Sequence, residues 1–234
     1  MWRHSVSLGL LATCAACGAA STAPVPVEPL DPKQTHYGKT YDEWAAAWVQ
    51  WVYEWPETKD CPDPVADPTG VLCNFAQDPK SPVFFLTGNW GAVTKRTKAS
   101  VPANKAILVP IVVMFQDNGG VPSANLKSDA QLKDSSMGQF QSITEVHFSL
   151  DGRTLTPLDP FAIKAAPYQY TLPPEPNSYT CQGTPGVTGT YQGYTSGYFV
   201  LLPPLADGPH TIAFSAKANL PFSLDVSYDP LTID

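Results

Sequence analysis

Residues 41–55 read YDEWAAAWVQWVYEW and place Trp44, Trp48, Trp51 and Trp55 at i, i+4, i+7 and i+11. At about 100° per residue, this spacing gathers the four indoles within roughly 60° of one helix face. Thr40 followed by Glu43 has the spacing of a capping box, in which hydroxyl and carboxylate each accept a backbone N–H that the first turn leaves unpaired. Ala45, Ala46 and Ala47 favour helix without adding bulk, and Pro56, which has no N–H, ends it. Four of the chain's six tryptophans therefore sit on one amphipathic element. Buried, each indole hides about 150–250 Å²; exposed together, they would form an aggregation-prone patch. The stripe is expected to be core, packed on a sheet, rather than a platform for stacking on sugar rings.

Outside the helix the pattern is β. Residues 83–87 and 198–202 are short apolar runs bounded by Pro or Gly, the form of buried strands. Residues 106–115 are similar, with Pro110 implying an edge or a bulge. Residues 145–150 alternate, with Val146, Phe148 and Leu150 on one face and Glu145, His147 and Ser149 on the other. Residues 222–228 do the same, with Phe222, Leu224, Val226 and Tyr228 facing inward. Asp151-Gly152 and Asp207-Gly208 sit where hairpin turns require φ > 0. The 25 prolines are about twice ordinary usage and fit a chain of many short segments. These features predict a mainly β fold: a β-sandwich, jelly-roll or Ig-like, formed by residues 37–234 as a single domain.

The first residues read as an export signal over residues 1–17, with Arg3 ahead of a short apolar stretch and no acidic residue before Glu28. Leu11-Ala12-Thr13-Cys14 resembles a bacterial lipobox, and Ala15-Ala16-Cys17-Gly18 is a second candidate. Lipidation is therefore expected at Cys14 or Cys17, with plain cleavage after Ala20 as the alternative. Residues 18–36, rich in Pro and Ala, are expected to form a linker that does not order itself. The chain is thus expected to be exported, to the outer membrane, periplasm or cell surface as a lipoprotein or otherwise secreted. A net charge of −7 disfavours nucleic acid and leaves a lipid anchor as the route to a membrane. The basic run Lys95-Arg96-Thr97-Lys98 reads as a solvated hairpin or loop edge.

The order Tyr37-Gly38-Lys39-Thr40, Glu43-Trp44 and Trp48, then Asp67-Pro68-Thr69-Gly70 and Cys73, resembles a family of secreted bacterial proteins without an established activity. The likeness continues through Pro82-Val83-Phe84-Phe85-Leu86, Val101-Pro102 and Leu150-Asp151-Gly152 to Pro204-Leu205 and Gly208-Pro209-His210-Thr211-Ile212. The resemblance implies secretion and a sandwich-like fold, and no mechanism. Members tend to carry a second cysteine just before the Val-Pro pair, where this chain has Lys98-Ala99-Ser100.

Three cysteines remain outside the signal, Cys61, Cys73 and Cys181, an odd set for an oxidising compartment. Cys61 and Cys73 flank one loop and are the expected pair, closing it for about 3 kcal/mol in the chain-entropy model. A bond from Cys181 to either of them stays open. Asp60, Asp63 and Asp67, beside Glu54 and Glu57, offer oxygen ligands, but their spacing does not match a calcium loop, so no metal or other cofactor is expected. No catalytic motif is present; His147 lies on a polar strand face, and His210 shares parity with Ile212 and Phe214. The polar stretch 171–197 supplies Tyr179, Tyr191 and Tyr194, with Tyr198 just beyond it, and Trp90 is an aromatic outside the helix stripe. Loops on a rigid sandwich carry recognition, so Trp90, Tyr191 and Tyr194 are the expected ligand-binding residues. The function expected is a non-catalytic surface or binding module, for a polysaccharide or another envelope protein. The alternatives are an extracellular hydrolase on a jelly-roll scaffold and a structural envelope protein.

Overall fold

The structure, a computed structural model, describes residues 26–55, 60–219 and 222–234. The expectations placed on the signal, on Cys14 and Cys17, and on Pro56 lie outside these residues. Two mixed sheets form a sandwich. One runs β1-β4-β8-β7, from Val83–Phe85 (β1), Ala106–Asp117 (β4), Thr190–Leu202 (β8) and Ala162–Thr171 (β7). The other runs β2-β10-β9-β5-β6, from Val93–Arg96 (β2), Ser223–Ile233 (β10), Gly208–Ala218 (β9), Ile143–Leu150 (β5) and Arg153–Thr154 (β6). A further strand, β3 (Ala99–Val101), continues the edge begun by β2 along β10, and both pair with β10 in parallel.

Alternation governs the second sheet: Phe148 and Leu150, then Ile212, Phe214 and Ala216, then Leu224, Val226 and Tyr228 are buried. The first sheet is different, because residues 106–112 of β4 and 199–202 of β8 are buried without alternation. Both of its faces are covered, which is why these strands read as continuous apolar runs. Pro110 sits in the middle of that sheet, where a register shift between Pro110 and Val112 accommodates its missing donor. The Asp151-Gly152 turn has φ of 50° and 77° and joins β5 to β6 as a tight hairpin. Asp207-Gly208 makes no hairpin; although Gly208 has φ 122°, it starts a strand that belongs to the sheet opposite β8.

The tryptophan helix, α1, spans Tyr41–Tyr53 with Thr40 and Glu43 forming the capping box. It packs on β7 and β8, with Trp48 edge-on to Phe199 at 6.2 Å. Trp44, Trp48 and Trp55 are buried and Trp51 is half-buried. The helix stops at Tyr53, with Glu54 as its C-cap, so Trp55 lies beyond it and is not held in the helical row.

A second helix, α2 (Asp129–Gln141), was not expected, and buries only Leu132 and Ser136. It rests on Ser196 and Tyr198, through the Ser136–Ser196 hydroxyl contact at 2.7 Å and the Phe140–Tyr198 stack. Those two residues have parity opposite to Phe199, so α2 covers the face of the first sheet that α1 does not. Its identity as a helix comes from a second capping box, Ser128 with Gln131. The described half of the expected linker is docked as well. Leu30 N–H donates to Leu201 O at 2.8 Å, and the Tyr41 hydroxyl donates to Leu30 O at 2.7 Å. No helix among the described residues is long and apolar enough to cross a membrane.

The basic run departs most sharply from expectation. Arg96 is 1% exposed, because β2 ends there with its side chain turned into the sandwich. Its Nε donates to Asp67 O, Nη1 to Thr87 O and the Tyr228 hydroxyl, and Nη2 to Val65 O and Gly88 O, at 2.8–3.0 Å. A planar five-donor fork is suited to this set of carbonyls, and a lysine is not.

Candidate functional site

Beyond the C-terminal end of α1, a cavity of about 270 Å³ opens between elements far apart in sequence. Tyr53 comes from the end of α1, Trp55 from just beyond it, and Phe115 from β4. Ser178 and Tyr179 come from the short helix α3 (Ser178–Cys181), and Asp63 and Trp90 from two loops.

The back of the cavity is braced by Asp117 at the end of β4. Its carboxylate accepts from the hydroxyls of Tyr168 at 2.7 Å, Tyr53 at 3.1 Å and Tyr170 at 3.1 Å, and from Gly119 N–H at 2.7 Å. Tyr53 stacks on Tyr170 with centroids 3.9 Å apart and planes within 7°, and the Tyr179 hydroxyl meets that of Tyr170 at 3.2 Å. Burial first, and then the negative field of Asp117, push the Tyr53 and Tyr168 phenols well above the ordinary tyrosine range. Burial does the same to Tyr170. These hydroxyls remain protonated and serve as donors. A side chain at 119 would collide with the hydroxyls of Tyr170 and Tyr179, so the backbone approaches this crown only as glycine.

The mouth is built on Arg96. The segments it grips, residues 64–67 and 87–88, carry Asp63 at one end and lead to Trp90 at the other. Asn89 fixes the Trp90 turn, accepting from Gly91 N–H and Ala92 N–H and donating to Ala92 O and Thr94 Oγ1. Trp90 is 53% exposed, and its indole N–H donates to Asp63 Oδ2 at 3.0 Å. Asp63 Oδ1 accepts from Val65 N–H and Ala66 N–H.

Two polar atoms stand out in the wall behind the mouth. Trp55 Nε1 and Ser178 Oγ are the buried side-chain nitrogen and oxygen atoms without a hydrogen-bond partner among the described residues, and both residues line this cavity. Each such omission costs about 1–3 kcal/mol, and folded proteins leave few of them.

Of the residues expected to bind ligand, Trp90 alone borders this cavity. Tyr191 and Tyr194 belong to β8 rather than to a loop, and their odd spacing points them to opposite faces. Tyr191 is half-buried against Tyr170, at 5.6 Å, on the α1 side; Tyr194 donates to the carboxylate of Asp129 at the start of α2. The three do not share a surface. The expected Cys61–Cys73 bond is also corrected. Cys61 joins Cys181, 120 positions away, and the bond lines the cavity. Cys73 is a buried free thiol, its Sγ 3.3 Å from both Ser100 O and Ser100 N. Burial raises the Cys73 thiol pKa and keeps it inert.

The remaining candidates have local tasks. Asp67 holds its loop by accepting from Thr69 N–H, Thr69 Oγ1 and Leu72 N–H. The two ring nitrogens of His210 face Asp151 Oδ2 and Ala206 O. No cluster of three or more potential metal-ligating side chains occurs among the described residues. Sequence reasoning passed over Tyr53, Asp117 and Ser178, and weighed Trp55 only as core and Asp63 only as a metal ligand. The one signal that pointed toward them was the Cys61–Cys181 alternative, which brings residues 55–63 to residues 178–181. Comparison with protein-family models, with curated proteins and with solved structures returns no match.

Proposed function

We propose that the protein is an exported, non-catalytic binding module of the cell envelope, tethered through Cys14 or Cys17, and that it recognises glycan through the cavity at the end of α1. The observation that carries this reading is the aromatic wall: Tyr53, Trp55, Phe115 and Tyr179 line the cavity, and Trp90 stands exposed at its mouth. Flat rings of this kind receive the apolar C–H faces of sugars while their polar edges hydrogen-bond. The state of the nearby carboxylates supports binding over hydrolysis. Asp63 accepts three N–H groups and Asp117 accepts three hydroxyls and an N–H, so both act as anchors of the wall. His147 lies exposed on a strand of the other sheet.

Retention of the purified protein on a polysaccharide and glycan array tests the reading. Trp90→Ala should weaken retention on whichever glycan binds the parent and leave melting nearly unchanged, since its ring is exposed. Hydrolysis of any retained glycan by the parent would replace this reading with a hydrolase. The tether is tested separately, by labelling with a palmitate analogue that the Cys14→Ala, Cys17→Ala double variant should lose.

A further inference from the structure

We infer that the groove along the flank of α1 is a second glycan site, one that takes a stretch of an uncharged polysaccharide chain. It goes beyond the reading of the cavity, with which it shares no lining residue among those described.

The groove holds about 730 Å³ between α1 and residues 76–82, which lead into β1. Along the helix it is lined from Trp44 to Glu54, a span of roughly 15 Å, the length of about three linked sugar rings. Ala47, between Trp44 and Trp51 on this flank, is small enough to leave the slot open. Trp51 and Phe85 are half-buried and line the groove. The Trp51 indole N–H donates to Ala76 O at 2.9 Å, and its ring stands edge-on to Phe85 at 5.5 Å. Rings fixed in this way lose little freedom when a ligand settles on them.

At the N-terminal end of the helix, Tyr37 lines the groove and is 44% exposed. His36 and Lys39 exchange backbone hydrogen bonds across Tyr37-Gly38, whose φ of 51° and 83° make a turn that needs φ > 0 at both central residues. Gly38 suits it; a ring-bearing residue rarely stands there. No hydrogen bond or ring contact among the described residues employs the Tyr37 side chain. Ala76, whose carbonyl pins Trp51, is a second non-glycine residue in this conformation, with φ 53°. Strain of this sort gathers at sites of function, and here one strained residue displays a ring to the groove while the other fixes one.

The walls restrict the occupant. An extended peptide would pair with the edge strand β1, but side chains already cover its free backbone groups. Ser81 Oγ accepts from Val83 N–H and donates to Val83 O, and Gln77 does the same at Phe85 through Oε1 and Nε2. Lys39 and Lys80 on the lining are balanced by Glu54 and Asp78, which suits an uncharged ligand. Neither lysine forms an ion pair among the described residues, so both ammonium groups, with the exposed Gln50 amide, can donate to sugar hydroxyls. Aromatic faces receive the C–H sides of the rings.

The test is titration of the purified protein with β-linked tetraoses of glucose, xylose, mannose and N-acetylglucosamine, with the matching monosaccharides, tetragalacturonate and casein alongside. Binding is read by calorimetry and by the indole N–H resonances of Trp51 and Trp90, assigned by their loss in Trp51→Phe and Trp90→Phe. One neutral tetraose should saturate and shift the Trp51 resonance, and its monosaccharide should bind at least about tenfold more weakly. Tyr37→Gly should weaken the tetraose about tenfold with melting no lower than the parent's, since glycine accepts the left-handed conformation. Gln50→Ala, at an exposed helix position that favours alanine, should weaken it about threefold. Parental affinity in both variants overturns the inference. So does a shift confined to Trp90, or retention of a polysaccharide by a parent that binds no tetraose; either leaves the glycan reading of the cavity standing. Preference for tetragalacturonate or casein reassigns the groove and overturns it too. Failure to bind any saccharide, polymeric or simple, removes both readings.

Discussion

Arg96 and the cavity are built on the same two loops, yet they treat buried polar atoms in opposite ways. Around Arg96 no carboxylate among the described residues pairs with the buried cation, and still every arm of the guanidinium finds a carbonyl or the Tyr228 hydroxyl. At the cavity, whose mouth those loops carry, the indole N–H of Trp55, just past α1, and the hydroxyl of Ser178, on α3, have no partner among the described residues. A fold that satisfies its most demanding side chain so fully does not leave simpler groups unpaired for want of options. The contrast separates a region that stabilises the loops from one that they are held open to form.

The largest test of this contrast is Arg96→Met. It strips donors from the carbonyls of Val65, Asp67, Thr87 and Gly88, and loss of such a buried network should cost more than about 4 kcal/mol in urea unfolding. Arg96→Lys should rescue little of it, having three donors in the wrong geometry. A loss below about 1 kcal/mol would mean that water replaces the guanidinium, and the two regions would no longer differ.

Next in size is the Cys61–Cys181 bond, which ties one wall of the cavity to the other. The double variant Cys61→Ser, Cys181→Ser should lose about 2–5 kcal/mol by the same measurement. The Arg96 side of the loops, held by its own hydrogen bonds, should keep its amide-exchange protection at Asp67, whose N–H donates to Asp63 O, and at Thr87, whose N–H donates to the Tyr228 hydroxyl.

Smaller and sharper is a pair of matched substitutions. Trp48→Phe loses the bond to Leu86 O and leaves that carbonyl bare, so it should lower stability by about 1–3 kcal/mol. Trp55→Phe shrinks a buried ring to the same extent but breaks no hydrogen bond among the described residues, so it should lose about 1 kcal/mol less than Trp48→Phe. Equal losses in the two variants would show that Trp55 is an ordinary core residue.

The smallest effect is on the acid side of the saturated region. Burial opposes the charge of Asp67, but N–H groups of Leu72 and Thr69, the Thr69 hydroxyl and the nearby Arg96 outweigh it and lower its pKa below the ordinary 3.8. The fold therefore holds this proton less tightly than the unfolded chain does. The stabilisation is complete above pH 3.8 and is lost as pH falls through the lowered value. Asp67→Asn should flatten that acid limb by on the order of 1 kcal/mol, seen as a weaker pH dependence of the melting temperature.

What the sequence makes legible is local. The α1 capping box, the Asp151-Gly152 turn and the alternation of β5 and β10 each depend on residues a few positions apart. The burial of Arg96 does not, since its acceptors are carbonyls on two loops and a hydroxyl on β10, and nothing in the run Lys95-Arg96-Thr97-Lys98 distinguishes it from its exposed neighbours. Helix α2 escaped because its buried face amounts to Leu132 and Ser136, too little to make a period. Cysteine pairing across 120 positions is set by topology and not by loop length. The separation of Tyr191 from Tyr194 was within reach: read as a strand from Thr190, their odd spacing puts them on opposite faces. The cavity was not, because its orphaned atoms become visible only once every other donor has been matched.

The parallel pairing of β2 and β3 with β10 has a consequence for how the chain reaches this fold. Val93 meets Asp225 and Ala99 meets Leu231, so two early strands wait for β10 to be made before they have a neighbour. Loop closure over such a span comes before any of its contacts are gained, which slows the search. Arg96, at the end of β2, finds Tyr228 only at that moment, and the loops it grips settle then. The mouth of the cavity, carried by those loops, accordingly settles late, and a nascent chain still lacking β10 carries a hydrophobic sheet with an open edge, the kind of state that exposes a folding chain to aggregation.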